Sequence, residues 1–197
     1  MARTIKGSKN VVQSYIFTTA KYDFSTYEKR IIYRLIEFAQ DEIKGVMIRD
    51  NLHKIEPTLF GREITMPISD ILKDESDKNY TIAKKSFGAL SEKFIIYEDD
   101  DIWQKTPIIT NPKIKKNEGI SKFYVFDEIW KSLLDFTKGY RKYELVTAMQ
   151  FKSVYSMRIY ELISGQKRPL EFSIEHLREM FCIKDKYSKA NDFKRWV

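Results

Sequence analysis

The side chains best equipped for chemistry in this sequence are cations set at helical and hairpin spacing. Lys78, Thr81, Lys84 and Lys85, with Lys93 near its end, fall on one predicted helix. Lys113, Lys115 and Lys116 crowd a basic loop further on, and Lys189, Asn191, Lys194 and Arg195 open a last predicted helix. Such side chains bind phosphate oxygens, and Asn and Arg also read adenine and guanine edges bidentately. Lysine is a flexible point charge, so the first two groups suit positioning on a phosphate backbone and the third suits sequence discrimination. Lys84 and Lys85 diverge by about 100° on a helix, so both cannot point straight into one groove. The plainer reading of each group is a solvated basic face.

Covalent chemistry finds little support. No Gly-rich phosphate loop of the GxxxxGK[ST] type is present. His53 and His176 are isolated, outside any metal-binding array, and read as surface or partly packed side chains. The tyrosines read as core and interface residues. Glu98, Asp99, Asp100 and Asp101 form an acidic turn that DNA would repel, so it must face away; three consecutive acids do not converge on one ion without an unusual loop. The expectation is a protein that is not an enzyme, with no cofactor and no metal.

The whole chain has 197 residues and a formal charge of +7, with 43% hydrophobic and 14% aromatic residues. That is enough to bury a core in one generous domain or two small ones, and the charge points to a polyanionic partner. The single cysteine, Cys182, excludes an intramolecular disulfide and reads as a small buried apolar side chain. No apolar run approaches a membrane span, and no apolar core follows Arg3, Lys6 and Lys9 at the N-terminus. A cytoplasmic protein without membrane contact is expected.

The elements that must carry the cations follow from periodicity. Residues 1–10 form a basic arm, and 11–19 an apolar segment read as a helix. Ser25 and Glu28 have capping-box spacing ahead of a helix to about Ile43, whose stripe is Tyr27, Ile31, Leu35 and Phe38. Residues 62–67 alternate as a strand, and Ser69 or Asp70 caps a short helix through Leu72. A polar turn over 73–79 leads to a helix over 80–93, then to strands over 94–97, 102–110 and 120–126 with the basic loop 111–119 between the last two. Strand, short helix, turn, longer helix and β-ribbon is the order of an α+β winged helix-turn-helix.

Asp127 is expected to cap a helix over 128–134, and 147–164 to form one long helix with Ala148, Phe151, Tyr155, Ile159 and Leu162 buried. Lys152 and Arg158 are expected to pair with Glu161 or Glu144. Arg141, Lys142, Lys167 and Arg168 add charge near the junctions, and Gly165 to Pro169 reads as a linker. The cycle then restarts: a strand over 170–172, a helix capped by Ser173, a turn over 184–189 and a half-built recognition helix over 190–197. The predicted organisation is a complete first winged-helix domain at 1–165, for dimerisation and DNA backbone contact, then a linker and the start of a second at 166–197.

Three stretches resemble the iteron-binding plasmid replication initiator family, whose members carry two tandem winged-helix domains. They are NVVQSY at 10–15 running through 25–35, FKSVYSMRIYELI at 151–163, and FSIEHLR at 172–178 followed by DFKR at 192–195. The resemblance spans nearly the whole chain, and family members normally continue further, so a truncation within the second domain is expected. It implies binding to directly repeated origin sites on double-stranded DNA, help in opening the duplex, and recruitment of host helicase or polymerase components. It also implies a homodimer formed through the first domain and repressing its own promoter. For that dimer the exposed side of the strand Phe123, Tyr124, Val125 and Phe126 is expected to pair edge to edge. A winged-helix transcription repressor without a replication role is the alternative, and a protein-interaction module that does not bind DNA is a third.

Overall fold

The computed structural model describes residues 9–45, 52–74, 76–98, 100–101 and 103–183. It opens with strand β1 (Asn10–Ser14) and helix α1 (Tyr15–Thr19), where one apolar helix was the expectation. The first half of that segment is extended because it pairs antiparallel with a strand formed far along the chain at Tyr140–Glu144. Helix α2 (Thr26–Ile43) begins as its capping box dictates: the Glu28 carboxylate accepts from the Ser25 N–H at 2.7 Å, and the Ser25 hydroxyl accepts from the Glu28 N–H at 3.3 Å. It is more than an amphipathic surface helix. Lys29, Arg30, Arg34 and Glu37 are buried along with the apolar stripe, since other elements surround α2.

Strands β2 (Lys54–Thr58) and β3 (Gly61–Pro67) form a hairpin with Leu59 and Phe60 exposed at its turn. A 3-10 turn (Ile68–Ile71) leads to helix α3 (Tyr80–Ser91), and then to the hairpin of β4 (Phe94–Glu98) and β5 (Trp103–Pro107). Strand β6 (Thr110–Lys115) follows the buried pair Ile108 and Ile109, and pairs with β7 (Ile120–Phe126). The expected loop over 111–119 is therefore mostly strand, and its true turn is short. Asn111, in the left-handed region at φ 51°, sits at a register irregularity within β6, between Thr110 and Lys113.

The main sheet runs β2-β3-β7-β6, antiparallel throughout. Strand β7 is thus interior, hydrogen-bonded on both sides, so the expected edge-to-edge pairing through Phe123 to Phe126 is excluded. Its inward residues Phe123 and Val125 join Ile64 and Met66 under α3, where Phe87 meets Phe123 at 5.5 Å between ring centroids. Gly61 permits the close approach of β3, because a Cβ there would lie 2.1 Å from the Val125 carbonyl oxygen.

Helix α4 (Asp127–Leu133) has Phe126, not Asp127, at its N-cap, with no side-chain capping bond. The Asp127 carboxylate is turned instead to Arg62 at 3.1 Å. Strand β8 (Tyr140–Glu144) completes the pair with β1. The expected long helix is two helices, α5 (Leu145–Gln150) and α6 (Val154–Ile163). The break is offset by interactions a continuous helix would deny: Phe151 packs on Tyr160 at 5.4 Å and its freed carbonyl accepts from Arg30 at 3.3 Å. Ser153 then caps α6 by accepting from the Tyr155 N–H.

Arg158 and Glu161 do not pair as expected. Glu161 holds Lys29, while Arg158 donates to the carbonyls of Ala20, Tyr22 and Met180. Glu144 accepts from the Thr147 N–H and so caps α5. Residues 170–172 form no strand, whereas Ser173 caps α7 (Ile174–Met180) as predicted, accepting from the His176 N–H at 3.1 Å. Leu162, Met180, Phe181 and Ile183 form a second small core. Cys182 between them is exposed rather than buried, because at φ 55° the chain turns its side chain outward. His53 departs in the opposite sense: it is buried, with Nε2 2.7 Å from the Asp70 carboxylate. Among the described residues no helix is long and apolar enough to cross a membrane.

Candidate nucleic-acid interface

Helix α3 is set in place by one carboxylate. Asp77 accepts from the Tyr27 hydroxyl at 2.9 Å, from the Lys73 N–H at 3.0 Å, and from the Asn79 N–H and amide at 3.0 and 2.8 Å. Arg30 of α2 stands 3.6 Å behind it. Burial alone would raise the Asp77 pKa, but the Lys73 and Asn79 N–H groups, with Tyr27, hold it below the ordinary aspartate value. Asp77 thus ties Lys73 and Asn79, ahead of α3, to the central helix. Reading the sequence for turn composition alone misses Asp77. Its signal was the Asp-x-Asn spacing just ahead of a helix start.

Helix α3 buries Ala83, Ser86, Phe87 and Leu90 and leaves Thr81 and Lys85 on its outer side. Lys78 is exposed just before the helix, and Lys84 is half-buried on its flank. Lys78, Thr81 and Lys85 thus share the outer side of the element, and Lys84 diverges from Lys85 onto the flank. Lys93 does not join them. Its ammonium lies 2.7 Å from Glu28 and also reaches the Asp23 carbonyl, so it braces the α2 capping box from the far end of α3.

The hairpin of β6 and β7 carries further cations. Lys113 is exposed on β6, directly across from Lys122 of β7, which ion-pairs with Glu63. This pair lies on the sheet face turned away from α3, since Phe123 and Val125 point under the helix, and Lys113 shares that outer face with Glu56 and Glu63. Lys115 lies 3.3 Å from Glu118 at i,i+3 spacing, while Lys116 is exposed in the turn that Gly119, at φ 64°, closes. The outward cationic side of α3 can meet the phosphates of a duplex, and the hairpin carries a separate set of lysines. The acidic turn joins β4 to β5, a separate hairpin. Lys189, Asn191, Lys194 and Arg195 lie outside the described residues.

Comparison with known proteins agrees with this fold. A crystal structure of Pi initiator protein in complex with iteron DNA is similar in fold, with a TM-score of 0.60 at 16% identity, covering 88% of this chain and 72% of that one. Residues 10–164 match the family model for the initiator replication protein, WH1, and residues 173–197 match the model for the initiator Rep protein, WH2. The chain, with its cationic helix seated on a winged-helix frame, therefore belongs to the initiator replication protein family.

Proposed function

We propose that this chain initiates plasmid-type DNA replication by binding directly repeated origin sites on double-stranded DNA and recruiting host helicase or polymerase components. It acts by binding and assembly, without catalysing a covalent step, in the cytoplasm and as a homodimer. The observation that carries the reading is the outer side of α3, where Thr81 and Lys85 are exposed, with Lys78 exposed just ahead of the helix and Lys84 half-buried on its flank. Membership of an initiator family and similarity in fold to an initiator solved with iteron DNA support it.

The test is fluorescence anisotropy with a duplex bearing the direct repeats that flank the gene, against a random duplex of equal length at physiological salt. Site-specific initiators bind their own repeats roughly 10³-fold or more tightly than random sequence. Equal affinity for the two duplexes would remove the origin-binding reading. Sedimentation of the free protein as a monomer well above micromolar concentration would remove the homodimer.

A further inference from the structure

Ile82 on α3 keeps half of its surface, 50%, exposed, although isoleucine is among the residues most often buried. At about 100° per residue, Thr81 and Lys85 lie opposite the buried side of α3, and Ile82 flanks them on the outer face. Gly88 is exposed on the other side of Thr81 and Lys85, about 120° round the helix from Ile82. Glycine is the poorest helix former after proline, and a Cβ at Gly88 would meet nothing within 4 Å. No described residue requires a glycine there, whereas a surface approaching from outside would. The cations around this face mark that surface as a polyanion, and the major groove of duplex DNA offers an isoleucine one apolar group, the thymine 5-methyl.

We propose that Ile82 reads A·T pairs by contacting thymine methyl groups in the major groove, with Gly88 leaving room for α3 to seat close to the groove wall. The inference rests on the DNA-binding reading above and sharpens it. The first winged helix then discriminates sequence as well as holding phosphates.

Two duplexes of the direct repeats test this, identical except that uracil replaces thymine in one, so that only the 5-methyl groups differ. The full wild-type chain binds the thymine duplex roughly fourfold more tightly for each methyl buried. Ile82→Ala binds both duplexes alike, and matches wild type on the uracil duplex to within about twofold. Gly88→Ala melts roughly 2–4 °C higher yet binds both duplexes more weakly, so stability and affinity move in opposite directions. A thymine preference that survives Ile82→Ala overturns the role of Ile82. Undiminished binding by Gly88→Ala overturns the close approach. If wild type does not distinguish the thymine repeats from random duplex, it is the origin-binding reading that fails, and the proposal fails with it.

Discussion

The Glu161 carboxylate takes the Lys29 ammonium at 2.9 Å, and neither side chain keeps any exposure to solvent. The same carboxylate accepts from the Tyr33 hydroxyl at 2.5 Å and from the Gln13 amide at 3.0 Å, while Gln13 accepts from the Tyr143 hydroxyl at 2.7 Å. Burial, then the Glu161 charge, pushes both tyrosines well above their ordinary pKa, so they stay protonated as donors. One buried network thereby joins β1, α2, β8 and α6. Removing one charge leaves the other desolvated and unpaired, so Lys29→Met or Glu161→Leu alone should cost about 3–5 kcal/mol. The double variant should cost much less than the sum. Urea unfolding of the four proteins measures this, and additive losses would show that the pair is not coupled.

Arg158 connects the frame to the start of the second domain. Its guanidinium donates to Ala20 at 2.7 Å and Tyr22 at 3.2 Å, and to Met180 at the end of α7 at 2.6 Å. It also stacks on Tyr22 and Phe181, with its guanidinium carbon 3.9 and 4.9 Å from the ring centroids. A planar fork reaches several carbonyls at once, whereas an ammonium does not reproduce that geometry. Arg158→Lys should therefore loosen α7 without unfolding α2. Amide hydrogen exchange reads this directly: protection over 174–183 should fall while protection over 26–43 holds. Equal loss in both segments would mean that Arg158 supports the whole core and has no particular part in joining the domains.

What the sequence makes legible is what depends on near neighbours. The Ser25 and Glu28 capping box, the α2 stripe and the order from β3 to β7 all follow from residues a few positions apart. The partners of Glu161 and Arg158 do not, because Lys29 and Ala20 lie more than a hundred residues away in the chain. Strand β6 shows a mixed case. Lys113, Ile114 and Lys115 alternate with strand period, yet Asn111 and Pro112 give the segment the composition of a loop, and only pairing with β7 decides it. At the interface, helical spacing is enough to group Thr81, Lys84 and Lys85. It cannot reveal that Lys93 turns back to Glu28, or that Ile82 faces outward.

Acid should weaken the fold through Glu37 and Asp77. Burial raises the Glu37 pKa, but the Arg34 guanidinium and the Lys9 ammonium outweigh it and hold the carboxyl below its usual value, as Asp77 is held by its N–H donors. A folded pKa below the unfolded one means the unfolded chain takes up protons first as pH falls. The stabilisation is complete above the unfolded values near 4 and is lost as pH drops through the lower folded values. The melting temperature should hold from about pH 7 to about pH 5 and then fall. Glu37→Gln should melt lower than wild type at neutral pH, and the gap should close in acid. A gap that stays constant with pH would rule out this carboxylate as a source of the dependence.

The contrast between Lys85 and Lys93 separates charge that faces outward from charge used inside the fold. Both are lysines on or next to α3, and the sequence groups them together. Lys85 is exposed on the outer side of the helix, whereas Lys93 lies against Glu28, with its ammonium 5.4 Å from the Phe24 ring centroid. Each phosphate neutralised by a lysine adds about 0.9 to the slope of log affinity against log salt. Lys85→Ala should thus weaken duplex binding and make that slope shallower by about 0.9, with the melting temperature unchanged. Lys93→Ala should lower the melting temperature, since it uncovers Glu28 at the α2 cap, and should leave the salt slope as it is in wild type. Affinity titrations over a range of salt, paired with thermal melts, decide between them. If Lys93→Ala reduced the slope as Lys85→Ala does, its ammonium would leave Glu28 for a phosphate on binding, and the far end of α3 would belong to the interface after all.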